Sequence, residues 1–306
     1  MARTPKKKSA AVGLEGRVVE TRGRRVLVRD ASGERVCFLA GHRVVVGDQV
    51  RWIEVRGSGG KIVEVEGRET ALLRVDARGR EQVLAANLDG LLMVASAMHP
   101  PLRGGLIDRY AVAAGTCGLR VAVCLNKVDL GLSDEAEAVL ALRQEAGMRV
   151  LRTSVVSGEG MSELRSFLVE VSQRGPWALV GHSGVGKTSL IGALLPTLDV
   201  GEVGEISAHW GTGQHTTTGS RIFDLGDGGE VVDSPGIRTF APGGLAATEV
   251  RRHFPGLGGL VCRYRDCLHR DGEEGCEAEA QVSLELLTSY RRLLGEILGI
   301  EDRLRP

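Results

Sequence analysis

Residues 181–188 place glycines, a lysine and a threonine in the order that phosphate binding requires. The string Gly-His-Ser-Gly-Val-Gly-Lys-Thr fits the pattern G-x-x-x-x-G-K-[ST] and lies between an apolar run and a helical pattern. Glycine N–H groups can turn inward around phosphate oxygens, Lys187 can reach the β- and γ-phosphates, and the Thr188 hydroxyl can bind Mg²⁺. The residues predicted to contact the nucleotide here are Gly181, His182, Ser183, Gly184, Val185, Gly186, Lys187, Thr188 and Ser189.

A second string, Asn126-Lys127-Val128-Asp129, directly follows an apolar run that reads as a strand. The Asp129 carboxylate can accept hydrogen bonds from both N1–H and the exocyclic amine of guanine, whereas adenine offers no such pair. We therefore expect guanine specificity, and an ATPase is disfavoured. Asn126 is expected to tie this loop to residues 181–188, and the Lys127 stem to cover the base. Ser154, after the next predicted strand, is expected to lie where a backbone N–H could reach guanine O6.

A third group of residues could hold magnesium and position water. Asp233 ends a predicted strand, where its carboxylate could bind Mg²⁺ together with Thr188, and the Gly236 N–H could approach the γ-phosphate. Thr217 or Thr218 should close over Mg²⁺ and the γ-phosphate. The residue after Gly236 is Ile237, which cannot orient a water molecule. His215 could orient the water or act as a base, because its unperturbed pKa lies near neutrality, and Gln214 is the alternative.

Cys262, Cys267, His269 and Cys276 put three thiols and an imidazole within a short, charged and Gly-rich segment. Three thiolates and an imidazole suit tetrahedral zinc, and the metal would supply folding energy that so polar a segment lacks. The donor set leaves no obvious open position. We therefore predict one structural zinc ion.

The order of these strings along the chain is itself informative. In an unpermuted GTPase the phosphate loop precedes the base-reading loop, whereas here Asn126 precedes Gly181. The sequence therefore predicts a circularly permuted domain. Its last functional segment, beginning at Asp233, joins directly to whatever follows.

Two patterns of hydrophobicity indicate the elements that carry these strings. Residues 15–70 alternate in five short segments, which predicts a barrel of the oligonucleotide-binding type: Gly16–Val19, Arg25–Arg29, Arg35–Leu39, Gln49–Val55 and Ile62–Glu66. From Asn87 onward apolar runs alternate with helical patterns, which predicts a mostly parallel sheet with helices on both faces. The last part is irregular around the cysteines and then helical over Ser283–Leu298, with an apolar stripe of Leu284, Leu287, Leu293, Leu294 and Ile297.

Composition and charge limit the classes of protein. The 306 residues have a net charge of zero, but residues 1–74 carry 16 Lys and Arg against 9 Asp and Glu. This asymmetry indicates a polyanionic partner for the N-terminal part, or else a solvated basic face with a disordered tail. No segment approaches the ~20 apolar residues that span a bilayer, and the start lacks the apolar region of a secretory signal. We expect a cytoplasmic monomer that does not bind membranes.

Taken together, the strings resemble the circularly permuted GTPases of small ribosomal subunit biogenesis (RsgA, also called YjeQ or EngC). The resemblance rests on Asn87-Leu88-Asp89, Asp108-Arg109-Tyr110, Asn126–Asp129, Gly181–Ser189, His215–Thr218, Asp233–Gly236, the Cys/His cluster and Ser289-Tyr290. By this resemblance His215 occupies the catalytic position. The family usually has five residues between the histidine and the last cysteine, whereas this chain has six.

The resemblance implies an α/β fold with four parts. These are a basic tail over 1–14, an oligonucleotide-binding barrel that binds RNA over 15–72, a circularly permuted P-loop GTPase domain over 76–240, and a zinc-binding helical domain over 241–306. The implied partners are GTP and GDP, and the small ribosomal subunit with its rRNA. The implied function is ribosome-stimulated hydrolysis of GTP to GDP and phosphate during late maturation of that subunit. The alternative is a nucleotide-gated rRNA-binding scaffold whose hydrolysis is incidental.

Overall fold

The computed structural model describes residues 13–56, 59–75, 80–195, 219–233 and 245–304. Its first part is a closed five-stranded barrel, as the alternating pattern predicted. The strands are β1 (Leu14–Arg22), β2 (Arg25–Asp30), β3 (Gly33–Phe38), β4 (Gln49–Val55) and β5 (Gly59–Val65). They pair in the order β1-β2-β3-β5-β4, and β4 returns to β1. Only β3 and β5 are parallel within the barrel.

The barrel core is small and apolar, and it is filled by Val18, Val26, Val28, Cys37, Val50, Trp52 and Ile62. Gly60 allows β5 to pass over this core, because a Cβ atom there would lie under 3.0 Å from Cys37 Sγ and from the Trp52 ring. The packing of this core therefore requires glycine at position 60.

An antiparallel pair follows that the sequence did not predict, β6 (Ala71–Val75) with β7 (Glu81–Ala86). This pair is held to the barrel, because Ala86 N donates to Val46 O at 2.9 Å and the Asn87 side-chain amide donates to Gly47 O at 3.0 Å. The segment that connects the barrel to the following sheet is thus held in place by hydrogen bonds to the barrel.

The next part is a sheet with helices on both faces, as predicted. Its strands are β8 (Gly90–Ser96), β9 (Arg120–Asn126), β10 (Arg149–Arg152), β11 (Trp177–Val180), β12 (Arg221–Asp224) and β13 (Glu230–Asp233). The order is β10-β9-β8-β11-β13-β12, and all neighbours are parallel except β12 with β13.

Four helices cover this sheet. They are α1 (Gly104–Thr116), α2 (Asp134–Glu145), α3 (Met161–Val171) and α4 (Lys187–Leu194). Helices α1 and α2 pack on one face and α3 and α4 on the other. All seven residues of β8 are buried, since successive side chains of this central strand enter opposite cores.

The barrel and this sheet are continuous. Strand β1 lies beside β12, where Thr21 N donates to Ser220 O at 3.0 Å and Ser220 N donates to Thr21 Oγ1 at 3.1 Å. The result is one 11-stranded sheet. Arg17 of β1 also donates to the Glu230 carboxylate of β13 at 2.8 Å.

The C-terminal part is helical, with α5 (Ala247–His253), α6 (Ala278–Gln281) and α7 (Leu284–Leu304). Its core contains Val250, Phe254, Leu257, Leu286, Leu287, Tyr290, Leu293, Leu294 and Ile297, and it includes Val112 from α1. The prediction for Leu284 was wrong, since this side chain is 68% exposed. It is the first residue of α7 and lies outside the core that the later turns enter. Among the described residues, no helix combines the length and the hydropathy needed to cross a membrane.

Candidate nucleotide site and metal centre

The phosphate loop, residues 181–188, connects the buried strand β11 to helix α4. Its three glycines have positive φ angles of +136° at Gly181, +84° at Gly184 and +96° at Gly186. Residues with a side chain rarely adopt such angles, so glycine is required for the tight turn that presents N–H groups to an anion. The N-terminus of α4 adds a favourable partial positive charge.

Lys187 lies over this loop. Its Nζ donates to Gly181 O and to His182 O, both at 2.6 Å, and the residue is only 5% exposed. The ammonium group is thus held against the loop where phosphate oxygens would lie. Thr188 follows in the first turn of α4, and it is half-buried.

The base loop, residues 126–129, touches the phosphate loop directly. Asn126 Nδ2 donates to Val185 O at 2.9 Å, the contact that the sequence predicted for Asn126. Lys127 Nζ donates to Gly184 O at 2.6 Å and to His99 O at 3.1 Å. Two strings more than fifty residues apart in the chain therefore form one site.

Gly186 makes this contact between the loops possible. A Cβ atom at Gly186 would lie under 3.0 Å from the Asn126 amide nitrogen. The same glycine thus satisfies the turn and leaves room for the neighbouring side chain. This second requirement was not visible in the motif.

Ser154 fixes the carboxylate that is predicted to read guanine. Its Oγ donates to Asp129 Oδ1 at 2.5 Å and accepts from Ser157 N at 3.1 Å. Ser154 is fully buried, whereas Asp129 is exposed. The Ser154 N–H itself donates to Glu159 O at 2.9 Å, so a contact with guanine O6 would use the N–H of a neighbouring residue in this loop. The role of the Ser154 side chain in orienting Asp129 was not predicted.

Asp233 ends β13, which lies parallel to β11, the strand that leads into the phosphate loop. The residue is 1% exposed. An acidic side chain at this strand end could hold a magnesium ion together with Thr188. His215, Thr217, Thr218 and Gly236 lie outside the described residues, as does Gln214.

The four cysteine and histidine residues meet in one cluster. Nδ1 of His269 lies 3.5 Å from the Sγ atoms of Cys262, Cys267 and Cys276, and all four ligand atoms lie within 4.8 Å of one another. Tetrahedral bonds of about 2.3 Å to sulfur and about 2.05 Å to nitrogen predict a sulfur–nitrogen separation of about 3.6 Å. The cluster therefore has the dimensions of a zinc site, and it could hold a metal ion.

The chemistry of the cluster agrees with its geometry. Burial, and then the charge of Arg251, lowers the pKa of His269, which favours the neutral imidazole that metals bind. Burial raises the pKa of Cys267 to about 12, and a bound cation would reverse that preference by stabilising the thiolate. The additional residue between His269 and Cys276 is accommodated in a loop with positive φ angles at Gly272 and Gly275.

Helix α7 supports the metal loop from outside. Tyr290 Oη donates to Leu268 O at 2.6 Å, and Arg291 Nε donates to His269 O at 3.0 Å. Glu273 accepts from the backbone N–H groups on either side of His269. These contacts fix the orientation of the histidine that faces the three sulfur atoms.

A phosphate loop and a base-reading loop meet at the carboxyl ends of a parallel sheet, and the second precedes the first in the chain. This arrangement defines a circularly permuted P-loop GTPase. A family model described as RsgA GTPase matches residues 65–242. The chain belongs to the RsgA GTPase family, which confirms the class and the family predicted from sequence.

Relatives match most of the chain. The protein named small ribosomal subunit biogenesis GTPase RsgA of Azotobacter vinelandii is 40% identical over 265 residues, which cover 83% of this chain and 75% of that protein. The protein of the same name from Pseudomonas fluorescens Pf-5 is 37% identical over an alignment of 324 positions, with coverages of 97% and 92%.

Two solved structures share the fold. YjeQ from Thermotoga maritima is 25% identical with a TM-score of 0.74, and the match covers 94% of this chain and 99% of that one. YloQ, described as a circularly permuted GTPase, is 20% identical with a TM-score of 0.71 and coverages of 98% and 100%. The predicted fold class is confirmed.

Proposed function

We propose that this protein hydrolyses GTP to GDP and phosphate during maturation of the small ribosomal subunit, which stimulates the reaction. The observation that carries the proposal is the pair of hydrogen bonds from Asn126 and Lys127 to the phosphate loop. These bonds support the proposal because they join residues 126 and 127, next to the carboxylate that we assign to guanine, directly to the loop that we assign to the phosphates. The names of the curated relatives supply the biological setting.

In this proposal the described residues bind and orient the nucleotide. Asp129, held by Ser154, accepts the two donor groups of guanine. Lys127 extends between the two loops and covers the base. N–H groups of residues 181–189 surround the phosphates, and Lys187 neutralises charge on the β- and γ-phosphates.

We assign magnesium binding to Thr188 and Asp233, which fit a hard cation because both offer oxygen. The ion would neutralise the charge that develops on the phosphates. By similarity to the family, His215 orients the attacking water, Thr217 or Thr218 closes on the γ-phosphate, and the Gly236 N–H contacts it. Ile237 has no polar side-chain atom, which is why the water requires another residue.

We assign zinc to the cluster of Cys262, Cys267, His269 and Cys276. The separations of 3.5 Å between nitrogen and sulfur support this metal. Four protein ligands complete a tetrahedron, so the ion would have a structural role. It would hold the loop that α7 contacts.

We assign RNA binding to the barrel, within a division of the chain into a tail (1–14), a barrel (15–72), a GTPase domain (76–240) and a zinc-binding domain (241–306). The basic excess of residues 1–74 supports a polyanionic partner. The Cζ atom of Arg25 lies 5.2 Å from the Phe38 ring centroid and that of Arg35 lies 5.4 Å from the Trp52 ring centroid, and both arginines are exposed on the barrel. Association with small subunits would place the protein in the cytoplasm, and the monomeric state stays a prediction.

The decisive experiment measures phosphate release from GTP with and without purified small ribosomal subunits, with ATP as the control substrate. We expect GTP turnover that rises when subunits are added, and no turnover of ATP. Equal rates with and without subunits would contradict the ribosomal part of the proposal. Failure to bind GTP in preference to ATP would contradict all of it.

A second experiment separates an enzyme from a nucleotide-gated scaffold. A His215→Ala variant should bind GTP, lose hydrolysis and remain on the subunit, because release would require loss of the γ-phosphate. Normal release by this variant would show that hydrolysis is incidental. Subunit sedimentation with bound protein measures release directly.

A further inference from the structure

A cavity of about 460 Å³ opens between the start of α1, helix α7 and the phosphate loop. Three arginines line it: Arg103 directly precedes α1, Arg109 lies in α1, and Arg292 lies in α7. Among the described lining residues, His182 alone belongs to the predicted nucleotide site. The cavity therefore borders that site and is separate from it.

Two of these arginines carry a charge that the surrounding side chains do not neutralise. Arg103 and Arg292 are exposed, and within the part of the chain that the structure describes neither side chain forms a hydrogen bond or an ion pair. Arg109 pairs with Glu296 of α7, which is the one acid in the described lining. The first turn of α1 contains no acidic residue. The cavity thus presents more positive than negative charge.

The arginines of the two helices are held on one surface. A Cβ atom at Gly105 would lie under 3.0 Å from a guanidinium nitrogen of Arg292, so the side chain from α7 lies over the first turn of α1. Ser289, one turn earlier on α7, donates from Oγ to Asp108 Oδ2 at 2.6 Å, and Asp108 is fully buried. Because this bond fixes α7 beside α1, the spacing of the charged groups is set by the fold.

The charge of the cavity is opposite in sign to the net charge of its part of the chain. Residues 75–306 carry 23 Lys and Arg against 30 Asp and Glu. The cavity is therefore a local positive region on a part of the protein that is acidic as a whole. A guanidinium group offers two parallel N–H donors that match two oxygens of one phosphate. The chemistry points to phosphate groups as the ligand.

The exposure of the arginines favours the phosphates of a large polyanion over a small free anion. An exposed ion pair contributes at most about fivefold to affinity, so two or three of them would hold a free phosphate weakly. An RNA molecule that the barrel already binds would bring further phosphates to the cavity at a high effective concentration. Each such contact would also release counterions from the RNA. The basic barrel and this cavity would then share one ligand.

We propose that this cavity is a second RNA contact of the protein, in which Arg103 and Arg292 bind backbone phosphates of the small ribosomal subunit. His182 lines the same cavity, and an adjoining cavity of about 260 Å³ is lined by Arg103 together with Ser183 and Val185 of the phosphate loop. The bound RNA would therefore lie beside the nucleotide-binding loop. This inference rests on the proposed function, because it names where the same partner binds.

The first test is the affinity of an Arg103→Gln, Arg292→Gln double variant for purified small ribosomal subunits, measured at several salt concentrations. Affinity should fall about tenfold, because two exposed contacts are lost. The slope of log affinity against log salt concentration should fall by about 1.5. Affinity for GDP should not change, since neither arginine belongs to the nucleotide site. Unchanged affinity for subunits would overturn the proposal.

The matched control is the double variant Arg149→Gln, Arg174→Gln. It removes the same charge from two exposed arginines at the amino-terminal edge of the sheet, opposite the phosphate loop. Its affinity for subunits should stay within about twofold of the unmodified protein. An equal loss in both double variants would show a general effect of net charge, and it would overturn the assignment to this cavity.

The second test changes the charge of the cavity in the opposite direction. Glu296→Gln removes the acid that pairs with Arg109 and should raise affinity for subunits about threefold. The Glu296 side chain is 48% exposed, so the fold does not depend on its burial. Affinity that stays equal or falls would overturn the proposal, and this variant decides the question even if the arginine double variant folds poorly.

Two measurements identify the ligand. With p-benzoylphenylalanine in place of Arg292, light should crosslink the protein to RNA of the subunit, which ribonuclease would degrade; crosslinks to ribosomal protein alone would overturn the assignment to RNA. Protein saturated with GDP should not bind pyrophosphate at millimolar concentration. Pyrophosphate binding that requires both Arg103 and Arg292 would overturn the choice of RNA over a free anion.

The two proposals fail in different ways. If the unmodified protein does not bind small ribosomal subunits, the proposed function is wrong. If it binds them and the Arg103→Gln, Arg292→Gln variant binds equally well, only the present inference is wrong.

Discussion

Replacing Gly186 by alanine tests whether the two loops really depend on each other. Gly186 has a φ of +96°, and an added Cβ atom would lie under 3.0 Å from the Asn126 amide nitrogen. Backbone strain at such an angle costs about 1–3 kcal/mol for a residue with a side chain. Displacing Asn126 would also break its 2.9 Å bond to Val185 O, inside a buried site.

Breaking the bond between Asn126 and Val185 leaves a buried polar group without its partner, which costs about 1–3 kcal/mol in addition to the backbone strain. The two terms together give about 2–6 kcal/mol, and even the lower limit corresponds to about a 30-fold weaker nucleotide affinity. Isothermal titration with GDP would measure this change. Thermal unfolding would establish that the variant is folded.

Two controls separate strain from the contact with Asn126. Gly131→Ala introduces a side chain at a φ of +85° where no atom lies within 4 Å of the added Cβ. Because Gly131 lies outside both loops, the backbone strain should lower the stability of this variant, while its affinity for GDP should change little. In an Asn126→Ala background the effect of Gly186→Ala should shrink to the strain term. If Gly186→Ala binds GDP within about threefold of the unmodified protein, the reasoning about these two loops is refuted.

Three further predictions concern specificity, the metal and a buried ion pair. Asp129→Asn should weaken GTP binding and favour xanthosine nucleotides, which competition binding would reveal; retained GTP preference would contradict the role of this carboxylate. Removing the metal with a chelator should lower the melting temperature by roughly 4–8 °C, if the loss of metal costs about 2 kcal/mol of stability. Added zinc should restore the original melting temperature. An unchanged melting curve would mean that the cluster holds no structural metal. Arg143→Met should lower the free energy of unfolding in urea by about 3–5 kcal/mol, because it leaves the buried carboxylate of Asp108 without its charged partner. Arg149→Met removes an exposed ion pair with Glu163 and should cost less than about 1 kcal/mol. Equal costs for the two variants would refute the distinction between buried and exposed pairs.

The site could be predicted from sequence wherever a short string has only one chemical use. The phosphate loop is such a string, because its glycines, Lys187 and Thr188 are each required by phosphate and magnesium. The cysteine cluster is another, since thiols and an imidazole at this spacing have few other uses. The contact between the two loops was expected from Asn126, whose side chain was predicted to tie its loop to residues 181–188, and the bond from Asn126 to Val185 O confirms it.

Other features depend on contacts between distant segments, which no local pattern encodes. Arg143 belongs to a helix of low hydrophobicity, so nothing in the sequence marks it as buried beneath α1. The β6–β7 pair was not predicted because its two strands lie between the barrel and the α/β part. In that stretch neither the alternation of a strand nor the period of a helix is clear.

The pairing of β1 with β12 has a consequence for how the molecule can be built and divided. Strand β12 would be an open edge of the α/β sheet if β1 did not cover it, and open edges recruit foreign strands. A fragment that begins after the barrel would expose this edge and leave Glu230 without Arg17. During synthesis, β1 cannot pair with β12 until Arg221, some two hundred residues after its partner Glu20, has been made. The barrel therefore protects the α/β sheet against aggregation through its edge strand β12.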